Sequence, residues 1–296
     1  MIGVCCFDLS YCAFVGLCVV RIIYIIDTLI IGEKNMKRLY FNNEDLRLSF
    51  VDFEGDGKPI LLCLHGHFGN ARTFSKVAEA LKDWHVYALD QRGHGWSDHA
   101  DSSHYKREDY IQDIEQFVSQ VIDNQPMVIL GHSLGGVNAY QFAAKHKDNV
   151  SALIIEDIGT EVNDDLSFAQ SFIDTASTLE ALSENLKNFG INDSRYFLES
   201  AFETDTGWHF RFDKNNLPIS QESLNGIWWD DFLTTDCPTI LLHGRHSHVV
   251  SMEQIEWMVD KRINTTYHVF ENSGHAIHYD EPEQFIKIVS NFLEKI

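Results

Sequence analysis

The residues best suited to chemistry lie in Gly131-His132-Ser133-Leu134-Gly135, where an apolar run ends and a helical pattern begins. A serine on a sharp strand-to-helix turn is held in a strained backbone region, and glycines on both sides keep its neighbours from colliding. The start of the helix also places backbone N–H groups and a positive dipole end where an oxyanion would develop. The segment therefore predicts Ser133 as a catalytic nucleophile.

A general base for this serine is expected in a loop near the end of the chain. Ser273-Gly274-His275 follows the last apolar run and precedes the last helical pattern, a position from which an imidazole can reach Ser133. The sequence therefore predicts His275 as the base. His278, three residues later, is interpreted as a bystander at the start of the helix.

Oxyanion donors are expected after an earlier apolar run, in the segment LHGHFG at 64–69. Its glycines permit a close approach of the backbone to a substrate. One interpretation is an oxyanion loop in which the N–H group of His67 acts together with that of Leu134. The other interpretation is a plain glycine-rich turn.

These segments need a scaffold, and the rest of the chain predicts one of the α/β class. Short apolar runs alternate with helical periodicity, which is typical of a mostly parallel sheet covered by helices on both faces. The alternation stops at 159–236, where amphipathic, aromatic-rich stretches predict a mainly helical cap. Such a cap either covers an apolar cavity or only completes the core. The main runs are 60–66, 85–90, 127–132, 152–157, 239–244 and 266–271.

Four motifs resemble those of a known family: HGHFGN at 65–70, DQRGHGWSD at 90–98, GHSLGG at 131–136 and SGHAIHYDEPEQF at 273–285. They look like the α/β-hydrolase superfamily. More narrowly, IEDIG at 155–159 and GWHFRFD at 207–213 look like its small acyl esterases with a helical cap. The resemblance implies an α/β-hydrolase core at 36–158 and 237–296, with the cap at 159–236 inserted before strand seven. It also implies the chain order serine, acid, histidine, and a structural turn without catalytic function at 90–95.

The acid departs from the usual pattern of this family. Most members carry an aspartate three residues after the glycine that ends strand seven, but that position is Ser247 here. A subset takes the acid from the end of the preceding strand, where this chain has Glu156 and Asp157. Successive strand residues face opposite ways, so only one of them can point at His275. The resemblance favours Asp157, which lies at the spacing from Ser133 that these esterases have.

Charge and motif content exclude other functions. With 23 basic and 44 acidic residues, the net charge is −21, which repels nucleic acid along most of the surface. No phosphate loop or dinucleotide fingerprint occurs, so no cofactor is predicted. Two groups of histidines, His65/His67 and His243/His246/His248, include two-residue spacings that can chelate a metal on a strand, but no carboxylate-histidine cluster completes a ligand set. No metal site is therefore predicted.

Residues 1–35 differ from the rest of the chain because 2–31 are almost entirely apolar. Three interpretations stay open: a membrane anchor through residues 2–31, a secretory signal peptide, and a gene-model extension upstream of a start at Met36. If the segment spans a membrane, the basic residues that follow it keep the body on the cytoplasmic side. The predicted location of the body is therefore cytoplasmic, with or without an anchor.

Taken together, the sequence predicts a serine hydrolase that cleaves a carboxylic ester or related acyl bond of a small apolar substrate through an acyl-enzyme. Relatives with an aspartate nucleophile, such as haloalkane dehalogenases and epoxide hydrolases, are excluded because residue 133 is serine. Hydrolysis of a lactone, a thioester or a carbon–carbon bond stays an alternative, since those relatives share the triad. A non-catalytic ligand receptor on the same fold is the alternative from another class, and the oligomeric state is left open.

Overall fold

The computed structural model describes residues 36–296, and the interpretations of residues 1–35 lie outside this range. The first part of the described chain builds most of one large sheet. The apolar runs become its strands, whereas the first strand, at the edge of the sheet, was not predicted. The elements are β1 (Lys37–Asn43), β2 (Leu46–Asp52), β3 (Ile60–Leu64), α1 (Ser75–Ala80), β4 (His85–Leu89), α2 (Arg107–Gln120), β5 (Met127–His132), α3 (Leu134–Lys145) and β6 (Val150–Glu156).

Residues 159–236 contribute no strand to the large sheet. They hold helices, as the sequence predicted, and also short strands, three of which form a small antiparallel sheet. Strands of two to four residues are too short for their alternation to be read from the sequence. The elements are β7 (Glu161–Val162), β8 (Thr175–Ala176), α4 (Leu179–Asn188), α5 (Arg195–Leu198), β9 (Ala201–Thr204), β10 (Gly207–Phe210), α6 (Leu217–Leu224), β11 (Gly226–Ile227) and α7 (Trp229–Leu233).

The last part of the chain returns to the large sheet. It forms β12 (Thr239–Gly244), α8 (Met252–Lys261), β13 (Thr265–Phe270), α9 (Ile277–Asp280) and α10 (Pro282–Leu293). The strand order is β1-β2-β4-β3-β5-β6-β12-β13, in which β2 runs antiparallel to both of its neighbours and the six strands from β4 to β13 are parallel to one another. The prediction of an α/β fold with a mostly parallel sheet is confirmed.

Both faces of the large sheet are buried because its central strands are apolar throughout. All residues of β3 and β12 are buried. On one face the sheet packs against Phe117 of α2, Tyr140 of α3 and Met258 of α8, and on the other against Val77 of α1 and Phe285 of α10. Since the parallel strands end at one edge, the loops after β3, β5, β6, β12 and β13 meet there, as ligand-binding loops of open α/β sheets do.

The helices of residues 36–296 are too short to cross a membrane. The longest helix of the described chain, α2, has 14 residues, whereas a spanning helix needs about 20 apolar residues. Within residues 36–296, no helix combines the length and apolar character needed to cross a bilayer.

Candidate active site

Ser133 occupies the turn between the last residue of β5 and the first residue of α3. Its backbone has φ 53° and ψ −118°, a conformation that residues other than glycine rarely adopt. The turn is this sharp because Gly131 and Gly135 carry no side chain. A Cβ at Gly131 would lie 2.2 Å from the Gly135 carbonyl oxygen, and one at Gly135 would lie 2.2 Å from that of Leu64. The strain therefore sits on the one residue predicted to act as the nucleophile.

His275 lies in the loop between β13 and α9, and its ring is paired with a carboxylate. Its Nδ1 is 2.7 Å from Oδ2 of Asp157, the residue directly after β6. The backbone of this loop is tied to the nucleophile turn, because His132 donates a hydrogen bond of 2.9 Å from Nε2 to the carbonyl oxygen of His275. His275 and Ser133 line the same cavity. The structure thus brings the three predicted triad residues to one edge of the sheet.

The Asp157 carboxylate is buried and accepts several hydrogen bonds. Its Oδ1 lies 3.1 Å from the N–H group of Gly244 and 3.2 Å from Nδ1 of His243, and its Oδ2 also accepts the hydroxyl of Ser247. Burial alone would raise the pKa of this carboxyl, but the hydrogen bonds from His243 and His275 outweigh it and hold the pKa below its ordinary value. Asp157 is therefore an ionised acceptor for the imidazole.

Ser247 has a role that sequence reasoning missed. It stands at the position where most family members carry the acid, and the sequence predicted no role for a serine there. In the structure its hydroxyl donates to Asp157, and its Oγ also accepts the N–H group of Val249 at 3.1 Å. The serine therefore orients the carboxylate that lies after β6 and does not pair with the imidazole itself.

Glu156, the other candidate acid, faces a different histidine. Its Oε1 accepts the backbone N–H group of His278 at 3.0 Å and the His278 ring Nδ1 at 2.7 Å. Burial would raise the pKa of this carboxyl, but the interaction with His278 outweighs burial and holds the pKa below its ordinary value. Since consecutive residues at the end of β6 point to opposite sides, Asp157 meets His275 and Glu156 meets His278. His278 is thus a partner of Glu156 and not a free residue at the helix start.

His132, Glu156 and His278 form a buried cluster whose potential metal-ligand atoms lie within 4.8 Å of one another. The three residues come from three separate elements, β5, β6 and α9, so no sequence spacing links them. In the structure, His132 Nε2 donates to His275 and His278 Nδ1 donates to Glu156, so the cluster is engaged in hydrogen bonds that support the His275 loop. Burial holds the pKa of His132 well below its ordinary value, which leaves that ring neutral.

Of the two predicted oxyanion donors, His67 lines the same cavity as Ser133, and Leu134 is the next residue of the chain after Ser133. His67 follows β3, lines the cavity, and is fixed at both its backbone and its ring: its carbonyl oxygen accepts His94 Nε2 at 2.7 Å, and its Nε2 is 2.9 Å from Ser220 Oγ. Burial lowers the pKa of His67 well below its ordinary value. Leu134 is the first residue of α3, so its N–H group has no acceptor within the helix. The Leu134 N–H group is therefore free to bind an anion at the N-terminus of α3, whereas His67 lies in the loop after β3.

Asp90, in the turn predicted to be structural, lies away from the cavity lining. Its buried carboxylate accepts the N–H groups of Ala71 at 2.7 Å and Trp96 at 3.0 Å, and it also binds Arg38 and Ser49. Gly95 has φ 55°, and a Cβ there would overlap the Asp90 carboxylate. The carboxylate therefore holds loops together at the sheet edge.

The cavity beside Ser133 and His275 has a volume of about 500 Å³. Its walls are mainly apolar and come from the large sheet's loops and from the inserted segment. Apolar lining residues include Phe68, Leu166, Phe168, Phe197 and Leu224. A cavity of this size and lining fits a small ligand with an apolar portion.

The fold together with a serine at this turn defines a class of hydrolases, and comparison with known proteins identifies the family. The chain belongs to the α/β-hydrolase family, since the family profile described as alpha/beta hydrolase fold matches residues 59–282. The predicted α/β-hydrolase fold is confirmed by this match and by the solved structures that resemble the chain.

Two curated relatives illustrate the activities found in similar proteins. The chain is 25% identical over 248 residues to a putative esterase/lipase of Haemophilus influenzae, which covers 80% of this chain and 84% of the relative. It is 26% identical over 284 residues to the sn-1-specific diacylglycerol lipase ABHD11 of Mus musculus, with 85% and 87% covered. An alpha/beta hydrolase structure from Novosphingobium aromaticivorans matches with a TM-score of 0.77 and 27% identity over 88% of this chain and 99% of that chain. The chain is therefore a hydrolase.

Proposed function

We propose that this protein is a serine hydrolase that cleaves a carboxylic ester or a related acyl bond through Ser133, His275 and Asp157. The observation that carries the proposal is the 2.7 Å contact between Asp157 and His275, beside a serine held in a strained turn on the same cavity. Because the buried carboxylate accepts a hydrogen bond from Nδ1, the proton of the neutral imidazole stays on Nδ1, and Nε2 is available as a base.

The proposed reaction has two halves. In the first, His275 Nε2 takes the proton of the Ser133 hydroxyl while its oxygen attacks the substrate carbonyl, and the N–H groups of His67 and Leu134 hold the oxyanion. The protonated imidazole then gives its proton to the leaving group, which departs as an alcohol and leaves an acyl-enzyme. In the second half, His275 activates a water molecule that releases the acid and restores Ser133.

The cavity supports a small apolar acyl substrate. Phe68, Phe168 and Phe197 line it, and their apolar rings favour contact with a hydrocarbon chain over contact with water. An ester is the favoured bond because the two curated relatives are named an esterase/lipase and a diacylglycerol lipase. A panel of esters, thioesters and lactones of graded chain length, assayed for kcat/KM, ranks these bond types directly.

A fluorophosphonate probe tests the proposed nucleophile. The probe should label the native protein at one serine, with the label located at Ser133 by peptide mass spectrometry. Labelling should disappear in Ser133→Ala and persist in Ser102→Ala, a control at an exposed serine outside the cavity lining. Absence of labelling in folded native protein would refute covalent catalysis and leave the ligand receptor as the better explanation.

We also propose that the catalytic body works in a reducing compartment such as the cytoplasm. Within residues 36–296, Cys63 and Cys237 are both free thiols. Burial raises the pKa of the Cys63 thiol, which suits a cysteine that packs as a small hydrophobe. Fractionation of cells that express the full-length chain, with immunodetection of each fraction, tests the location.

A further inference from the structure

The opening of the cavity carries charge, in contrast to its apolar walls. Four charged side chains are among the lining residues: Asp164, Asp193, Arg195 and Asp280. The first three are exposed, and the Asp280 side chain is 25% exposed, so this charge lies where the cavity meets solvent. Three carboxylates and one guanidinium give a net charge of −2 at the opening.

The single guanidinium is already occupied by carboxylates. Arg195 Nε lies 2.9 and 3.0 Å from the two oxygens of Asp193, and its Nη2 lies 3.3 Å from Asp280. The hydrogen bond from Arg195 lowers the pKa of the Asp193 carboxyl, so this group is ionised at neutral pH. Arg195 is therefore engaged by two carboxylates, which weakens its attraction for an anionic group of a substrate.

Asp164 adds a carboxylate that no cation balances within residues 36–296. Its Oδ1 accepts the N–H group of Asp165 at 2.7 Å, and its backbone is held by Asn225 through hydrogen bonds of 3.0 and 2.9 Å. None of the ion pairs found within residues 36–296 involves Asp164. The carboxylate is thus held at the cavity lining with its charge exposed to an entering substrate.

We infer that the opening makes the enzyme selective for acyl substrates without negative charge, and that Asp164 and Asp193 determine this selectivity. The inference rests on the proposed hydrolase function and names its substrate class: neutral or cationic esters, in preference to esters that bear a carboxylate or phosphate. Because the carboxylates at the partly solvated opening repel a negative charge, we expect kcat/KM at low salt to be roughly tenfold higher for a neutral ester than for a matched anionic one.

Two matched substrates test the inference with the full-length protein. p-Nitrophenyl hexanoate and mono-p-nitrophenyl adipate have acyl chains of equal length and differ at the far end, a methyl group against a carboxylate. The neutral ester should be preferred about tenfold or more at low ionic strength. The preference should shrink at about 0.5 M salt, because the Debye length falls to a few ångströms there. A penalty from burying a carboxylate against apolar walls would not shrink in this way.

Charge-neutralising variants give a second readout. Asp164→Asn and Asp193→Asn should each raise the ratio of kcat/KM for the adipate ester over the hexanoate ester by roughly threefold or more. Asp205→Asn, which removes an exposed carboxylate outside the cavity lining, should leave the ratio unchanged. Each variant's fold is checked by its melting temperature, and the salt dependence of the native protein keeps the test independent of any variant that unfolds.

The outcomes separate this inference from the function on which it rests. If the hexanoate ester is hydrolysed but the ratio responds neither to salt nor to the two substitutions, the inference is wrong and the hydrolase proposal stands. If a panel of neutral esters is not hydrolysed at all, the proposed function fails, and the inference fails with it.

Discussion

Replacing Asp157 with asparagine is the most direct test of the site, because the structure fixes which way the new amide must face. Oδ1 of Asp157 accepts the backbone N–H group of Gly244 at 3.1 Å, and that group is a donor only. The asparagine carbonyl oxygen must therefore occupy the Oδ1 position. Its NH2 group is then turned toward His275 and Ser247, where the carboxylate now accepts hydrogen bonds.

This orientation changes the tautomer of the catalytic imidazole. To accept a hydrogen bond from the amide, His275 must leave Nδ1 unprotonated and carry its proton on Nε2, the nitrogen that should take the proton from Ser133. We therefore expect Asp157→Asn to cost up to about 10⁴ in kcat, equivalent to roughly 5 kcal/mol of transition-state stabilisation. The fold should persist, because asparagine has nearly the same size and keeps the contact with Gly244.

The assay is hydrolysis of a p-nitrophenyl ester, with circular dichroism and the melting temperature as checks on the fold. Glu156→Gln is the matched control, since it neutralises the adjacent buried carboxylate, which contacts His278 and not His275. We expect it to lower kcat by less than about tenfold. Near-normal turnover in folded Asp157→Asn, together with collapse in Glu156→Gln, would refute the reasoning and move the acid one residue back.

Three other perturbations have defined outcomes. Ser133→Ala should abolish measurable ester turnover while the protein stays folded. Ser133→Gly should melt at a higher temperature than Ser133→Ala, because glycine relieves about 1 kcal/mol or more of backbone strain at φ 53°. Equal melting temperatures of the two variants would argue against strain at this position. Protein starting at Met36 should fold and be active, since β1 begins at Lys37; aggregation or an inactive product would contradict this. The pKa values of Asp157 and Glu156 lie below their ordinary 3.8 and 4.5. Above pH 3.8 and 4.5 the two ionised carboxylates therefore stabilise the folded state, and this stabilisation is lost as the pH falls below those values. Urea unfolding measured from about pH 6 to pH 3 should show a free energy of unfolding that declines as the pH falls.

Local patterns explain why so much of the scaffold could be predicted from the sequence. The runs at 60–66 and 239–244 became the buried strands β3 and β12, because apolar residues on both faces of a strand require a covered parallel sheet. The turn at Ser133 was readable because it needs small residues at fixed offsets, here Gly131 and Gly135. Each of these signals lies within a few consecutive residues.

The parts of the site that the sequence did not reveal depend on contacts between distant residues. Ser247 donates to Asp157 across 90 positions, and Glu156 meets His278 across 122. The pairing of Arg195 with Asp280 spans 85 positions and lies between the inserted segment and a core helix. No periodicity or motif encodes such pairs, because they arise only once β6, β12 and the loop after β13 meet at the sheet edge.

Two carboxylate–histidine pairs stand side by side at the end of β6, and their different access to the cavity separates their functions. Glu156 with His278 and Asp157 with His275 have the same contact distance of 2.7 Å, so hydrogen-bond geometry alone does not distinguish them. The His278 side chain is 3% exposed and the His275 side chain is 24% exposed, and only the latter lines the cavity. A proton can pass between an imidazole and a substrate only where the two touch, which is possible for His275 alone. The buried pair is left to hold the backbone of α9 and, through His132, the loop that presents the exposed one.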